Sequence, residues 1–166
     1  LFQQKVEMLE ALPYAQHAGI KPIALGPGGP RLRTRRGAHA SVLLPEGGIV
    51  VAGGLNGNTI EVVDINAGMS RQLGAKLPIA CDDLAMVALP NGKIWILGGQ
   101  STTTGQTNDN TWLLDLSGRR SQLTRGPQLN IDGGVADHCA VIAGDWIVSA
   151  GGETQRGGVD VELNES

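Results

Sequence analysis

The sequence predicts an all-β fold assembled from repeated four-stranded units, and three observations predict it. Glycine supplies 25 of the 166 residues, whereas Trp, Tyr and Phe number only 3, 1 and 1. That is roughly twice the usual ~7% share of glycine. With no Gly-X-Y period, the excess belongs to tight turns joining short strands. Second, 41% of the residues are hydrophobic, yet they fall in short runs such as Ile94-Trp95-Ile96-Leu97, which suit strands and not a helical bundle. Third, one segment recurs three times.

In chain order, residues 1 to 16 place Leu1, Val6, Leu9 and Leu12 roughly on one face and read as a short helix or arm. Ile20 to Leu25 reads as the last strand of a preceding unit, followed by the Gly26-Pro-Gly-Gly-Pro30 turn, because Leu25 precedes His39 by 14 residues and Leu123 precedes His138 by 15. The first copy then runs from His39 through Ala52 to the pair Gly53-Gly54, and the second runs from Leu84 through Leu97 to Gly98-Gly99 without a gap. A third, two residues shorter at its turn, runs from His138 through Ala150 to Gly151-Gly152. The spacings are 45 and 53 residues. Each is predicted to hold a β-hairpin, whose positive φ angles are supplied by Pro45-Glu-Gly-Gly48 and Pro90-Asn-Gly92 in the first two copies.

After each Gly pair a polar stretch leads to a second apolar run ending in an acid: Thr59 to Asp64, Thr111 to Asp115 and Val159 to Glu162. A fourth strand is predicted near Ser70 to Leu73 and Ser121 to Thr124, and the third copy stops before one. Strand segments are therefore expected at 38–44, 48–52, 59–64 and 70–74, with equivalent sheets over 84–124 and 138–163. The organisation reads as 1–36 (arm and preceding strand), 37–80, 81–132 and 133–166.

The Arg36-Gly-Ala-His39 entry, the Gly53-Gly54 pair and the runs Asn58 to Asp64 and Asn110 to Asp115 resemble the kelch repeat over residues 37 to 163. The resemblance implies a kelch-type β-propeller, one four-stranded blade per repeat, with about three blades forming a partial ring behind an N-terminal arm. It marks Gly53, Gly54, Gly98, Gly99, Gly151, Gly152, His39, His138, Asp64 and Asp115 as structural positions of the repeat. The Tyr and Trp usual on its later strands are absent, Val63 and Leu114 standing where Tyr belongs. Propellers have ~4 to 8 blades, and four repeats at the shortest spacing exceed the chain. Closure is therefore expected from flanking sequence, a second copy or another subunit. The chain opens on Leu1, which reads as a processed product or a fragment.

The chemistry-bearing residues are sparse. Net charge is −3, but residues 1 to 36 hold six Lys or Arg against two acids. Arg31, Arg33, Arg35 and Arg36 form a basic cluster suited to an acidic partner, with Arg33 and Arg35 the candidate contacts. Without nearby aromatics to stack bases, and with an acidic chain overall, nucleic acid is not expected. No apolar run approaches the ~20 residues of a membrane span. Cys81 and Cys139 lack the spacing of a zinc site and read as buried small hydrophobes.

There is no Gly-x-Ser-x-Gly elbow and no His-Glu-x-x-His, and Gly26 to Pro30 lacks the ending of a phosphate loop. Asn108-Asp109-Asn110 lacks the Gly and distal Glu of an EF-hand loop. Radical-copper oxidases share the kelch-like fold, but their site needs tyrosines, and Tyr14 stands outside the repeats. No catalytic residue, metal or cofactor is assigned. Asn164-Glu-Ser166 matches a glycosylation sequon, a pattern frequent by chance.

What remains is a scaffold presenting loops of variable length at one end of its sheets. The expected partner-binding residues are Asn56, Asn58, Gln100, Ser101, Thr102, Thr103, Asn108, Asp109, Gln155 and Arg156, with Arg33 and Arg35. The leading expectation is a non-catalytic scaffold for protein association within a larger polypeptide or assembly. The alternative is the propeller portion of a carbohydrate-active or oxidase-type enzyme whose catalytic groups lie outside this chain.

Overall fold

The computed structural model describes residues 30–55, 57–156 and 159–162. The expected arm, the strand at Ile20 to Leu25, Asn56 and the sequon lie outside the described residues. Those described are all β, and no helix among them is long and apolar enough to cross a membrane.

The first unit is a four-stranded antiparallel meander of β1 (Ala40–Leu43), β2 (Ile49–Ala52), β3 (Thr59–Asp64) and β4 (Met69–Lys76). The last strand runs longer than its apolar residues foretold and carries a register shift between Thr59 and Glu61 on its partner. A short pair links the units: β5 (Cys81–Asp82) joins β8 (Gln100–Ser101). The second unit repeats the meander with β6 (Ala85–Ala88), β7 (Ile94–Leu97), β9 (Thr111–Asp115) and β10 (Gln122–Arg125).

The third unit departs from the expected single sheet. The strands β11 (Cys139–Ala143) and β12 (Trp146–Ala150) form one hairpin, while β13 (Glu153–Arg156) and β14 (Val159–Glu162) form another. The segment 153–158 was expected as a loop, but Glu153 exchanges backbone hydrogen bonds with Ala136 at 3.0 and 2.9 Å. Gln155 N donates to Thr107 Oγ1 at 3.0 Å. These contacts hold the chain extended after Gly152, and the next run pairs with that extended segment and not with β12.

Register explains the alternation of apolar faces. In a strand successive side chains point to opposite sides, so β1 and β2 turn Ala40, Val42, Val50 and Ala52 toward the second unit. There they meet Leu84, Met86, Ile94 and Ile96 in the main core. The opposite side of the second unit, Ala85, Val87, Trp95 and Leu97, packs on Ala140, Ile142 and Ile147 of the third. Each fully buried Leu or Ile is worth about 1.5–3 kcal/mol, so the contacts between units carry much of the stability. Cys81 is buried as expected, and burial, aided by the neighbouring Asp82, pushes its thiol up to about 12. Cys139 is exposed, contrary to expectation, because it lies on the outer side of β11, where nothing packs among the described residues.

Candidate functional site

The glycine pairs place each unit on the next. Gly53 and Gly98 have φ of 69° and 59° and end β2 and β7. A Cβ on Gly53 would stand 2.5 Å from the Cys81 carbonyl and 2.6 Å from Leu84 Cδ2, and one on Gly98 would run into the Val135 carbonyl. Beside each, the second glycine donates its N–H across the joint: Gly54 to Cys81 O at 2.9 Å and Gly99 to Val135 O at 2.8 Å.

A second bond recurs one step away. Asp83 N donates to Ala38 O at 2.9 Å and Asp137 N to Asp83 O at 3.0 Å. Ala38, Asp83 and Asp137 have φ of 52°, 50° and 54°, the non-glycine positive values among the described residues. They each immediately precede an equivalent repeat position, His39, Leu84 or His138. The left-handed backbone is uncommon outside glycine, and no local motif marks these residues, so sequence reasoning missed them.

The ladder crowds acids together. Asp83 is pushed up to about 6 by burial, by the charges of Asp137, Asp82 and Glu153, and by a hydrogen bond with Asp137. Asp82 is raised by burial and then by Asp137. Among the described residues no group of three or more His, Cys, Asp or Glu could hold a metal ion.

The shift has a consequence for stability. Because folding raises the Asp83 pKa above its ordinary 3.8, the protonated form favours the folded chain, and stability is lost as pH rises from about 4 through about 6. Asp83→Asn should raise the urea midpoint at pH 7.5 and lose that advantage at pH 4; an equal effect at both pH values would contradict the linkage.

The expected binding residues divide. Gln100 and Ser101 form β8 and lie against Asp82 and Cys81. Gln100 Nε2 donates to Gly105 O at 3.0 Å, and Ser101 Oγ accepts from Thr103 N and Thr104 N. Thr102, though exposed, donates from N and Oγ1 to Ala80 O at 3.0 and 3.3 Å, so the base of this loop is set and Thr103 stands exposed at its tip. Asn108 Nδ2 donates to the carbonyls of Gly98 and Gly99, and Asn58 Nδ2 to Leu77 O. These amides hold the joint. Asp109 is half-buried and accepts from Gln128 Nε2 at 2.9 Å. Arg156 ends β13.

Strand pairing also corrects the motif alignment. Val51 pairs with Glu61 and Ile96 with Trp112, so Asn110 takes the place of Thr59, and Asn58 answers to Asp109. The terminal acids Asp64 and Asp115 close turns, accepting from Ala67 N and from Ser117 N and Oγ. His138 is buried, its Cε1 lying where a Cβ on Gly98 would come within 2.9 Å. His39 is exposed because no preceding glycine pair meets it among the described residues.

The basic cluster lies elsewhere and is partly internal. Arg36 Nη2 sits 2.7 Å from Glu61 Oε1, with both side chains all but inaccessible, and Arg36 Nη1 donates to the Gly53 and Thr59 carbonyls. Glu61 also accepts from Arg33 N and Thr34 N. Burial pushes its pKa up, but the bonds from Arg36, Arg33 and Thr34 outweigh burial and hold the carboxyl below its ordinary range. Arg33 Nε donates to Ser70 O, and the residue lines a cleft of 440 Å³ with Leu44, Val63, Met69 and Arg71. Arg35 is exposed.

No family model and no curated protein sequence matches the chain. The solved structure of YjhT is similar to it with a TM-score of 0.67 at 17% sequence identity. The likeness is one of fold. It covers 77% of this chain and 47% of the other, so the chain spans about half the length of that structure.

Proposed function

We propose that the chain is a kelch-type β-propeller segment, its three units acting as blades, and that it serves as a non-catalytic scaffold for protein association. The supporting observation is the loop between β8 and β9: a base tied down by Gln100, Ser101, Thr102 and Asn108 carries the exposed side chain of Thr103. A tip so held binds an extended peptide with little ordering cost. The Thr103 hydroxyl, a donor and an acceptor, answers a peptide backbone through hydrogen bonds.

The test is selection from a displayed peptide library, followed by titration of the enriched peptides. Thr103→Ala should leave the unfolding midpoint unchanged, since its side chain is exposed, and weaken peptide binding about two- to tenfold, as the loss of one hydrogen bond worth about 0.5–1.5 kcal/mol implies. Absence of enrichment, or full binding by the variant, would overturn the assignment of this face.

A further inference from the structure

The loop that carries Thr103 closes through its own backbone. Gln100 and Thr107 form an isolated antiparallel bridge, Ser101 N donates to Gln106 O, and Gly105 N donates back to Ser101 O, both bonds at 2.8 Å. Thr107 ends that closure and is buried, at 8% exposure. Its hydroxyl is a junction of three segments. The hydrogen goes to Gly133 O at 2.6 Å, and the oxygen accepts from Gln155 N at 3.0 Å. Thr154 Oγ1, on a residue 2% exposed, stands 3.5 Å away. A hydroxyl has a single hydrogen, so with that one spent on Gly133 O, Thr154 is the donor toward Thr107.

On β13 the bonds fall by parity. In an antiparallel pair the backbone groups of alternate residues point to opposite edges. Glu153 exchanges both its backbone groups with Ala136, and Gln155, two residues on, gives its N–H to Thr107. The edge of β13 away from β14 is thus docked on Ala136 and then on Thr107, whose hydroxyl supplies the acceptor that the carbonyl of a neighbouring strand would supply. The turn that leads to Ala136 is fastened to the same loop. Val135 N donates to Asn108 O at 3.2 Å, and Gly134, with φ of 78°, passes so close that a Cβ would strike the Asn108 carbonyl.

We propose that Thr107 is a positioning residue that joins the 100–107 loop and β13 into one cooperative unit, so that the third unit governs how firmly the Thr103 tip is presented. The element with two states is β13, either docked on Thr107 or released. Release strips the hydroxyl of its partner on β13 and loosens the base that holds the tip. A peptide held at the tip stiffens the same base and keeps β13 docked, because such linkage is reciprocal. That last step rests on the peptide-binding reading of the loop, whereas the cooperative unit does not, so the two can fail separately.

Amide hydrogen exchange on the full chain without peptide tests the unit. Thr107→Val removes the hydroxyl, keeps the branched shape and takes the acceptor from Gln155 N. It should speed exchange about tenfold at Gln155 and equally at Ser101 and Gly105 in the loop, and Thr107→Ser should restore protection at all three. Gln155→Pro removes the same bond from the other side, at an edge where the N–H does not face β14. It should speed Ser101 and Gly105 as Thr107→Val does, whereas Gln155→Ala, which keeps the N–H, should not. Because both substitutions break one contact, the double variant should exceed neither.

Faster exchange confined to one of the two segments, additive effects in the double variant, or no rescue by serine would overturn the cooperative unit. The link to the tip is read with a peptide enriched on the wild-type chain. It should slow exchange at Gln155 in the wild type and bind Thr107→Val about fivefold more weakly. Full binding by Thr107→Val, or a Gln155 amide indifferent to the peptide, would overturn that link while leaving the loop as the binding face. Failure to enrich any peptide would overturn the binding face and leave the exchange data to decide the unit.

Discussion

Gly98→Ala is expected to lower stability by about 3 kcal/mol or more, combining ~1–3 kcal/mol of backbone strain with a similar cost of overpacking. Its φ is 59°, and the new methyl would be driven against the Val135 carbonyl and to within 2.9 Å of His138 Cε1. Gly105 provides the control, because its φ is 70° but a Cβ there would meet nothing within 4 Å. Gly105→Ala should therefore cost about 1 kcal/mol, the strain alone. At roughly 2–4 °C per kcal/mol for a chain of this size, the two melting points should differ by about 4–8 °C. Equal losses would mean that only the angle matters and that the glycine pair has no role in seating one unit on the next.

Glu61→Ala should be comparably damaging. Removing the carboxylate leaves the Arg36 guanidinium buried without its counter-ion and strips acceptors from Arg33 N and Thr34 N. Breaking one partner of a buried pair costs about 3–5 kcal/mol, whereas replacing both by apolar groups of similar volume is often neutral. The double variant Arg36→Met, Glu61→Leu should thus recover much of the loss in chemical denaturation. Acid acts in the same direction: folding holds the Glu61 pKa below its ordinary 4.5, so its contribution is present above that value and lost as pH falls through the folded pKa. A double variant as unstable as Glu61→Ala would show that the pair supplies more than compensation of two buried charges.

Legibility followed the range of the interaction. The glycine pairs, the hairpins and the acids that end β3 and β9 stood out because each meets a local need: a positive φ, a tight turn, or an acceptor for nearby N–H groups. The exposure of Thr102 and Thr103 was legible for the same reason, since polar stretches of uneven length between strands in register read as surface loops. Asn58 and Asn108 were read as binding residues, yet their amides are consumed by carbonyls of Leu77, Gly98 and Gly99, partners that only folding brings near.

The sequence by itself determined that strands alternate with glycine turns, that apolar residues occupy both sides of the hairpins, and that the pattern recurs at 45 and 53 residues. Those properties depend on neighbours within a few positions, where composition and period are sufficient. Tertiary structure alone decided that Arg36 turns inward to Glu61, 25 residues away, instead of outward to a partner. It alone decided that Ala38, Asp83 and Asp137 form a ladder and that β13 pairs with β14 instead of extending the β12 sheet. A charge can stay buried only where a counter-charge and hydrogen bonds meet it. A strand takes whichever edge is geometrically in reach, and both conditions are set by residues distant in the chain.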